Sequence, residues 1–254
     1  AHRPVTLGCN QCHDPHDGKD GNRLRKDVPD LCIGCHEDIG KKTHESLRKH
    51  GALENERSCL YCHDPHSANF SRQLKDVPKD LCLSCHDKAI VGVEGMLRDM
   101  ESYLAENNYH HGPIREGDCG ACHDPHGSDF PRILRMKYPG EFYAPFDLAR
   151  YELCFSCHEK SLVLDQETDT LTGFRNGTTN LHFVHVNRPR KGRTCRACHD
   201  VHASTSPKHI VESVPFGSTW SYSLHYQKTP EGGTCGPACH KPRGYSRARP
   251  VLNK

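Results

Sequence analysis

Cysteine governs what this chain can become. Seven times it appears as Cys-Xaa-Xaa-Cys-His: Cys9, Cys12 and His13; Cys32, Cys35 and His36; Cys59, Cys62 and His63; Cys82, Cys85 and His86; Cys119, Cys122 and His123; Cys154, Cys157 and His158; Cys195, Cys198 and His199. An eighth copy, Cys235, Cys239 and His240, carries one extra residue between its cysteines. Together the eight copies use all sixteen cysteines.

The residue types narrow the chemistry. Zinc ribbons also use Cys-Xaa-Xaa-Cys pairs, but they do not require a histidine after the second cysteine. Disulfides give no reason for that histidine either. Two cysteines three apart on a tight turn can form thioethers to the two vinyl groups of one porphyrin. The following histidine then faces the iron as proximal ligand. The spacing therefore predicts eight covalently bound haem c groups. In the eighth copy Gly236, Pro237 and Ala238 make a longer arc that still reaches both vinyls.

Composition agrees. Only 34% of the 254 residues are hydrophobic and 7% aromatic, too little for an ordinary core at this length. The expected fold is mostly irregular coil with a few short α-helices and one β-hairpin, around a core built of haem. Short helices are predicted from Thr43 towards His50 and over 96–106. The hairpin is predicted within 161–186, about Asn176-Gly177. Formal charge is +2 before cofactors. Haem propionates bring the holoprotein to about −6, so the basic sequence gives no support for nucleic acid as a partner, and none is expected. No apolar run approaches the length of a spanning helix, so no transmembrane segment is expected. Thioether attachment takes place outside the bacterial cytoplasm. The chain begins at Ala1 without a leader, so a processed, exported form is expected: secreted, extracellular or at the cell surface, with the periplasm as alternative.

The motifs fall into four pairs, giving one elongated unit of four repeats, 1–50, 51–110, 111–185 and 186–254. The first member of each pair continues as HDPH or HDVH. That places His16, His66, His126 and His202 three residues after a proximal histidine. Three residues span at most about 10 Å, too short to round a porphyrin edge. Each of these histidines is therefore expected to ligate a neighbouring haem, most simply the other member of its own pair. A second set, His2, His50, His111 and His185, precedes the first-of-pair motifs by seven to ten residues. A linker of that length reaches about 25–30 Å, so these are expected as distal ligands of haems one, three, five and seven. His44, His110, His182, His209 and His225 remain as alternatives for individual sites. Bis-histidine ligation without methionine implies low reduction potentials.

The paired CxxCHDPH…LCxxCH arrangement resembles multihaem c-type cytochromes with a doubled CXXCH motif. The C-terminal blocks NLHFVHVNRPRKGRTCRACHDVHAS and GGTCGPACHKP are similar to octahaem cytochromes of metal-reducing and related anaerobic bacteria. The resemblance implies periplasmic or extracellular electron transfer through closely packed haems. Its implied partners are redox proteins or extracellular acceptors. Some members of the family polymerise into filaments and others sit in outer-membrane conduits inside a porin; in a filament, His2 is placed to bind either within its own subunit or across the contact to a neighbouring copy. It also implies a carrier and not an enzyme. The competing reading is a multihaem reductase of the nitrite, hydroxylamine or tetrathionate type, which needs one open haem site. Such enzymes often replace one motif histidine by lysine, and no motif here does so.

Overall fold

The computed structural model describes residues 1–16, 23–216, 219–237 and 240–253. Cys239, an expected thioether residue, lies outside them. The chain divides into two compact units, residues 1–103 with 113–135, and residues 104–112 with 136–254. Regular structure is sparse in both, and the fold is irregular, as the composition requires. The longest helix among the described residues is Glu37–Glu45, at nine residues. Strands come as two- and three-stranded antiparallel sets.

In the first unit the local rules of the motifs dominate. The odd-numbered motifs begin on 3-10 turns, such as Cys9–Gln11 and Cys119–Ala121. The even-numbered motifs begin on short helices, Asp30–Ile33 and Pro78–Leu83. A helix predicted from Thr43 towards His50 instead runs Glu37–Glu45, opened by Glu37 and Asp38. His50 is extended because the chain before it is bound elsewhere: Arg48 and Ser128 exchange backbone hydrogen bonds of 2.7 and 2.9 Å. The helix predicted over 96–106 starts only at Met100. Asp99 accepts from the Ser102 N–H at 2.9 Å, while Gly95–Leu97 pairs with Ile90–Gly92 as a hairpin.

In the second unit the predicted hairpin exists but is smaller than expected. Arg175–Asn176 pairs with Thr179–Asn180 about Gly177, whose φ is +59°. The flanking segments, predicted as strand, are helices Ser161–Leu164 and Leu181–Val186. The reason is Asn180. It is fully buried, and its side-chain oxygen accepts from the backbone N–H groups of His182 and Phe183, a helix N-cap. Its amide nitrogen donates to the carbonyls of Leu162 and Asp165, tying the two helices together. The last motif sits in a different setting from the other seven. Its first cysteine ends the strand Gly232–Cys235, which pairs with Arg243–Ser246, so that cysteine stands at the end of a hairpin strand. A Cβ at Gly232 would overlap the Tyr245 carbonyl, so only glycine allows the strands to close.

Apolar burial is distributed unevenly. Only ten apolar side chains are buried among the described residues, and all ten belong to the second unit. There Tyr151, Val163 and Val186 form a small core against Tyr138, Phe146 and Phe155. The first unit buries none among its described residues, so its polypeptide supplies little apolar burial to offset the entropy of ordering it. Haem faces must supply that burial. A chain made without haem is therefore expected to lose the first unit completely and keep residual structure around Tyr151. Limited proteolysis would then cleave residues 1–103 first; equal resistance of both units would contradict this.

Candidate haem-binding sites

Numbered in chain order, motifs one to seven share one backbone turn. In each, the histidine N–H donates to the carbonyl of the first cysteine at 2.9–3.1 Å. The two cysteines and the histidine are thereby held on one tight turn. In motif eight the His240 N–H donates to Pro237 instead, at 3.3 Å, as the extra residue requires.

The odd motifs carry a further clamp that sequence reading missed. His13, His63, His123 and His199 each form an isolated β-bridge to a residue eleven positions on: Leu24, Leu74, Leu134 and Ile210. The intervening chain doubles back through left-handed backbone at Arg72 (φ +58°), Arg132 (+57°) and Lys208 (+61°). Their carbonyls accept from Nδ1 of His63, His123 and His199 at 2.9, 2.9 and 2.7 Å. A donating Nδ1–H fixes the tautomer and leaves Nε2 as the ligating nitrogen. The signal was present in the sequence as a constant eleven-residue offset to an aliphatic residue.

The aspartate of HDPH and HDVH has a defined part. Its Oδ1 accepts the backbone N–H of the second histidine at 2.9–3.1 Å in all four repeats. This Asx turn aims the second histidine away from its own motif. In the first unit Asp124 is buried and also binds Lys42, which holds its carboxyl below the usual range despite the burial.

The histidines then meet in pairs. His13 faces His66, His36 faces His2, His63 faces His126 and His86 faces His50, all within the first unit. In the second unit His158 faces His111 and His199 faces His182. Ring centres are 6.0–6.4 Å apart and ring planes lie within 16° of parallel. Every pair joins one motif histidine to one outside the motifs. Two imidazoles bonded on opposite sides of one metal at about 2 Å each, with about 1 Å more to each ring centre, stand about 6 Å apart. The six pairs therefore fit the axial positions of a haem iron.

The register differs from the expected one. His66 and His126 do not meet the second motif of their own repeat; they meet the first motif of the repeat before. The upstream set, expected at the first motifs, meets the second: His2 at motif two, His50 at motif four, His111 at motif six. The cause is a brace between repeats. His2 Nδ1 lies 3.1 Å from the Pro65 carbonyl, its N–H donates to the His66 carbonyl, and the His50 ring is hydrogen-bonded to the Pro125 carbonyl. At motif seven it is His182, and not His185, that faces His199. Of the remaining histidines, His110 spends Nε2 on the Leu104 carbonyl at 2.9 Å, and His209 stands edge-on to His111. His44, His225 and His16 are exposed. Burial holds His50, His111, His126 and His199 below the ordinary imidazole value, and His182 and His185 down to about 4. They are therefore neutral at physiological pH, the form that can ligate a metal.

The thiols also order the motifs. Cys32 and Cys59 lie in hydrogen-bonding contact, as do Cys82 and Cys119, and in the second unit Cys154 and Cys195. Cys12 is near Cys32, and Cys62 near Cys85. Attachment edges thus run in sequence order, motifs one to five in the first unit and six to seven in the second.

Repeated attachment turns with imidazoles set opposite them define a c-type cytochrome that carries several haems. The family model described as the doubled CXXCH motif matches residues 2–41, 50–90 and 111–162, together more than half of the chain. The chain belongs to that family. Motifs seven and eight lie beyond the matched segments, and no curated protein matches the chain. When bound, haem c supplies a reversible one-electron change at iron. The motif cysteines and histidines would hold it, with Nδ1 of His63, His123 and His199 committed to a backbone carbonyl so that Nε2 would face the iron. The Asx turns set the aim of the second histidine. Asp124→Ala should destabilise the ferric protein by about 1–3 kcal/mol in denaturant titration. Asp64→Ala, at an exposed turn, should cost less; the reverse order would contradict this account of the turn.

Proposed function

We propose that this protein relays electrons along eight covalently attached haems, each held between two histidines, in extracellular respiration. One observation carries the reading: the six near-parallel imidazole pairs, each joining a motif histidine to a histidine outside the motifs. An iron held on both sides has no open position for a substrate, which favours a carrier over a reductase. His202, by its place in the HD-x-H series, and His185, buried on the helix that carries His182, complete the proposed ligand set. Imidazole on both faces sets low potentials. The thiol contacts favour transfer in motif order, because adjacent attachment edges bring porphyrin edges together.

The proposed location is outside the cytoplasm, extracellular or at the cell surface, with the periplasm as alternative. No helix among the described residues is long and apolar enough to cross a membrane. The proposed partners are redox proteins or extracellular acceptors. For a polymer with haem-to-haem contact between copies, His2 is unsuited as the reaching residue, because it already faces His36. His16 is better placed, since it is exposed and its ring faces no other imidazole among the described residues.

Carbon monoxide tests the central claim. Intact mass should show eight haems, and carbon monoxide added to the dithionite-reduced protein should leave its spectrum unchanged. A shift of one haem equivalent would mean an open iron and would favour the reductase.

A further inference from the structure

We infer that the helix Leu181–Val186 serves two irons at once, His182 at motif seven and His185 at motif eight. The inference rests on the bis-histidine reading above and extends it to the site where motif geometry is least regular.

Elsewhere each distal imidazole comes from its own segment: an HD-x-H turn, or an upstream residue braced by such a turn. At motif seven the partner is a helix residue, with His182 and His199 6.4 Å apart and 15° from parallel. His185 follows three residues later. Residues three apart on a helix are neighbours, with Cβ atoms about 5–6 Å apart, so both imidazoles leave the same side. Both are also committed in the same way. His185 Nδ1 donates to the Leu181 carbonyl at 2.7 Å, and Thr172 Oγ1 engages His182 Nδ1 at 3.3 Å. Each keeps Nε2 for a metal.

The hairpin that carries Cys235 docks beside this helix. Ser246 donates its N–H to Asn176 Oδ1 at 3.2 Å and accepts from Gly177 N–H at 2.8 Å. Tyr245, on the same strand, meets Phe174 edge-on at 5.1 Å. Phe174 in turn lies 5.7 Å from His185, within 24° of parallel, and edge-on to His182 at 5.2 Å. One phenyl ring thus walls both imidazoles, and the strand pressed on it leads back to Cys235. The competing residue, His225, is exposed and adjoins Leu224, whose carbonyl accepts from Gly236 N–H at 3.1 Å. That position is against Gly236, the residue after the first attaching cysteine.

The test uses the full-length holoprotein, with carbon monoxide uptake by the reduced form and the high-spin ferric EPR signal as readouts. His182→Ala and His185→Ala should each open one haem equivalent, the double variant two, and His225→Ala none. No opening in His185→Ala, one in His225→Ala, or only one in the double variant would overturn the assignment. His185→Met guards against misfolding: it should stay closed to carbon monoxide and raise the potential of one haem, because methionine is the ligand that raises it. An unchanged potential in that variant would also overturn the assignment. Carbon monoxide uptake by the unmodified protein is a separate result, which would overturn the bis-histidine reading as well.

Discussion

A histidine three residues beyond a motif histidine faces a motif of another repeat at His66 and His126, and much of the first unit follows from that. A histidine three residues beyond a proximal ligand is too close to cross to the far face. In this chain His66 faces His13 and His126 faces His63, so the repeat that owns the imidazole leans on the repeat before it. The same turns brace the upstream histidines through the carbonyls of Pro65 and Pro125. The turns at His66 and His126 therefore each do two things: each presents one imidazole, and each steadies a second, His2 and His50 respectively.

This exchange accounts for a fold with so little polypeptide core. The first unit buries no apolar side chain among its described residues, yet its backbone repeats the same turn at every motif and the same bridge at each odd-numbered one. Left-handed backbone at Arg72 and Arg132 is unfavourable for such residues. It is tolerable where a cofactor and a donated hydrogen bond over-determine the geometry. The second unit differs. Its aromatic cluster around Tyr151 and the Asn180 cap give it order of its own, and that is where the histidines depart from the repeated pattern.

Much of the site was legible because covalent chemistry fixes spacing. In motifs one to seven the attachment cysteines and motif histidines stand at constant offsets, as do the HD-x-H histidines, and the upstream set falls seven to ten residues before a motif. Which motif each further histidine would meet was not legible, because that depends on how successive repeats pack, and no local pattern encodes it. The choice of His182 over His185 at motif seven was hidden for a similar reason. Read as a strand, 181–186 puts His182 and His185 on opposite faces; read as a helix, it puts them on one. Only the side chain of Asn180, capping from the residue before, decides between the two. The eleven-residue clamp could have been found, since Leu24, Leu74, Leu134 and Ile210 recur at one spacing.

The register also explains how the later repeats absorb insertions. First cysteines are 23 residues apart in pairs one and two, but 35 in pair three. If the two motifs of a pair were held by the chain between them, twelve extra residues would disturb the site. They do not: His111 faces His158 at 6.0 Å, against 6.1 Å for His2 with His36 and 6.3 Å for His50 with His86. The second motif is positioned by an imidazole that precedes the whole pair, so the loop within the pair carries no geometric burden. Added length there costs only loop entropy, which grows slowly with residue number. The loop is thus free to acquire structure of its own, as 136–153 does by contributing Tyr138, Phe146 and Tyr151 to the core of the second unit.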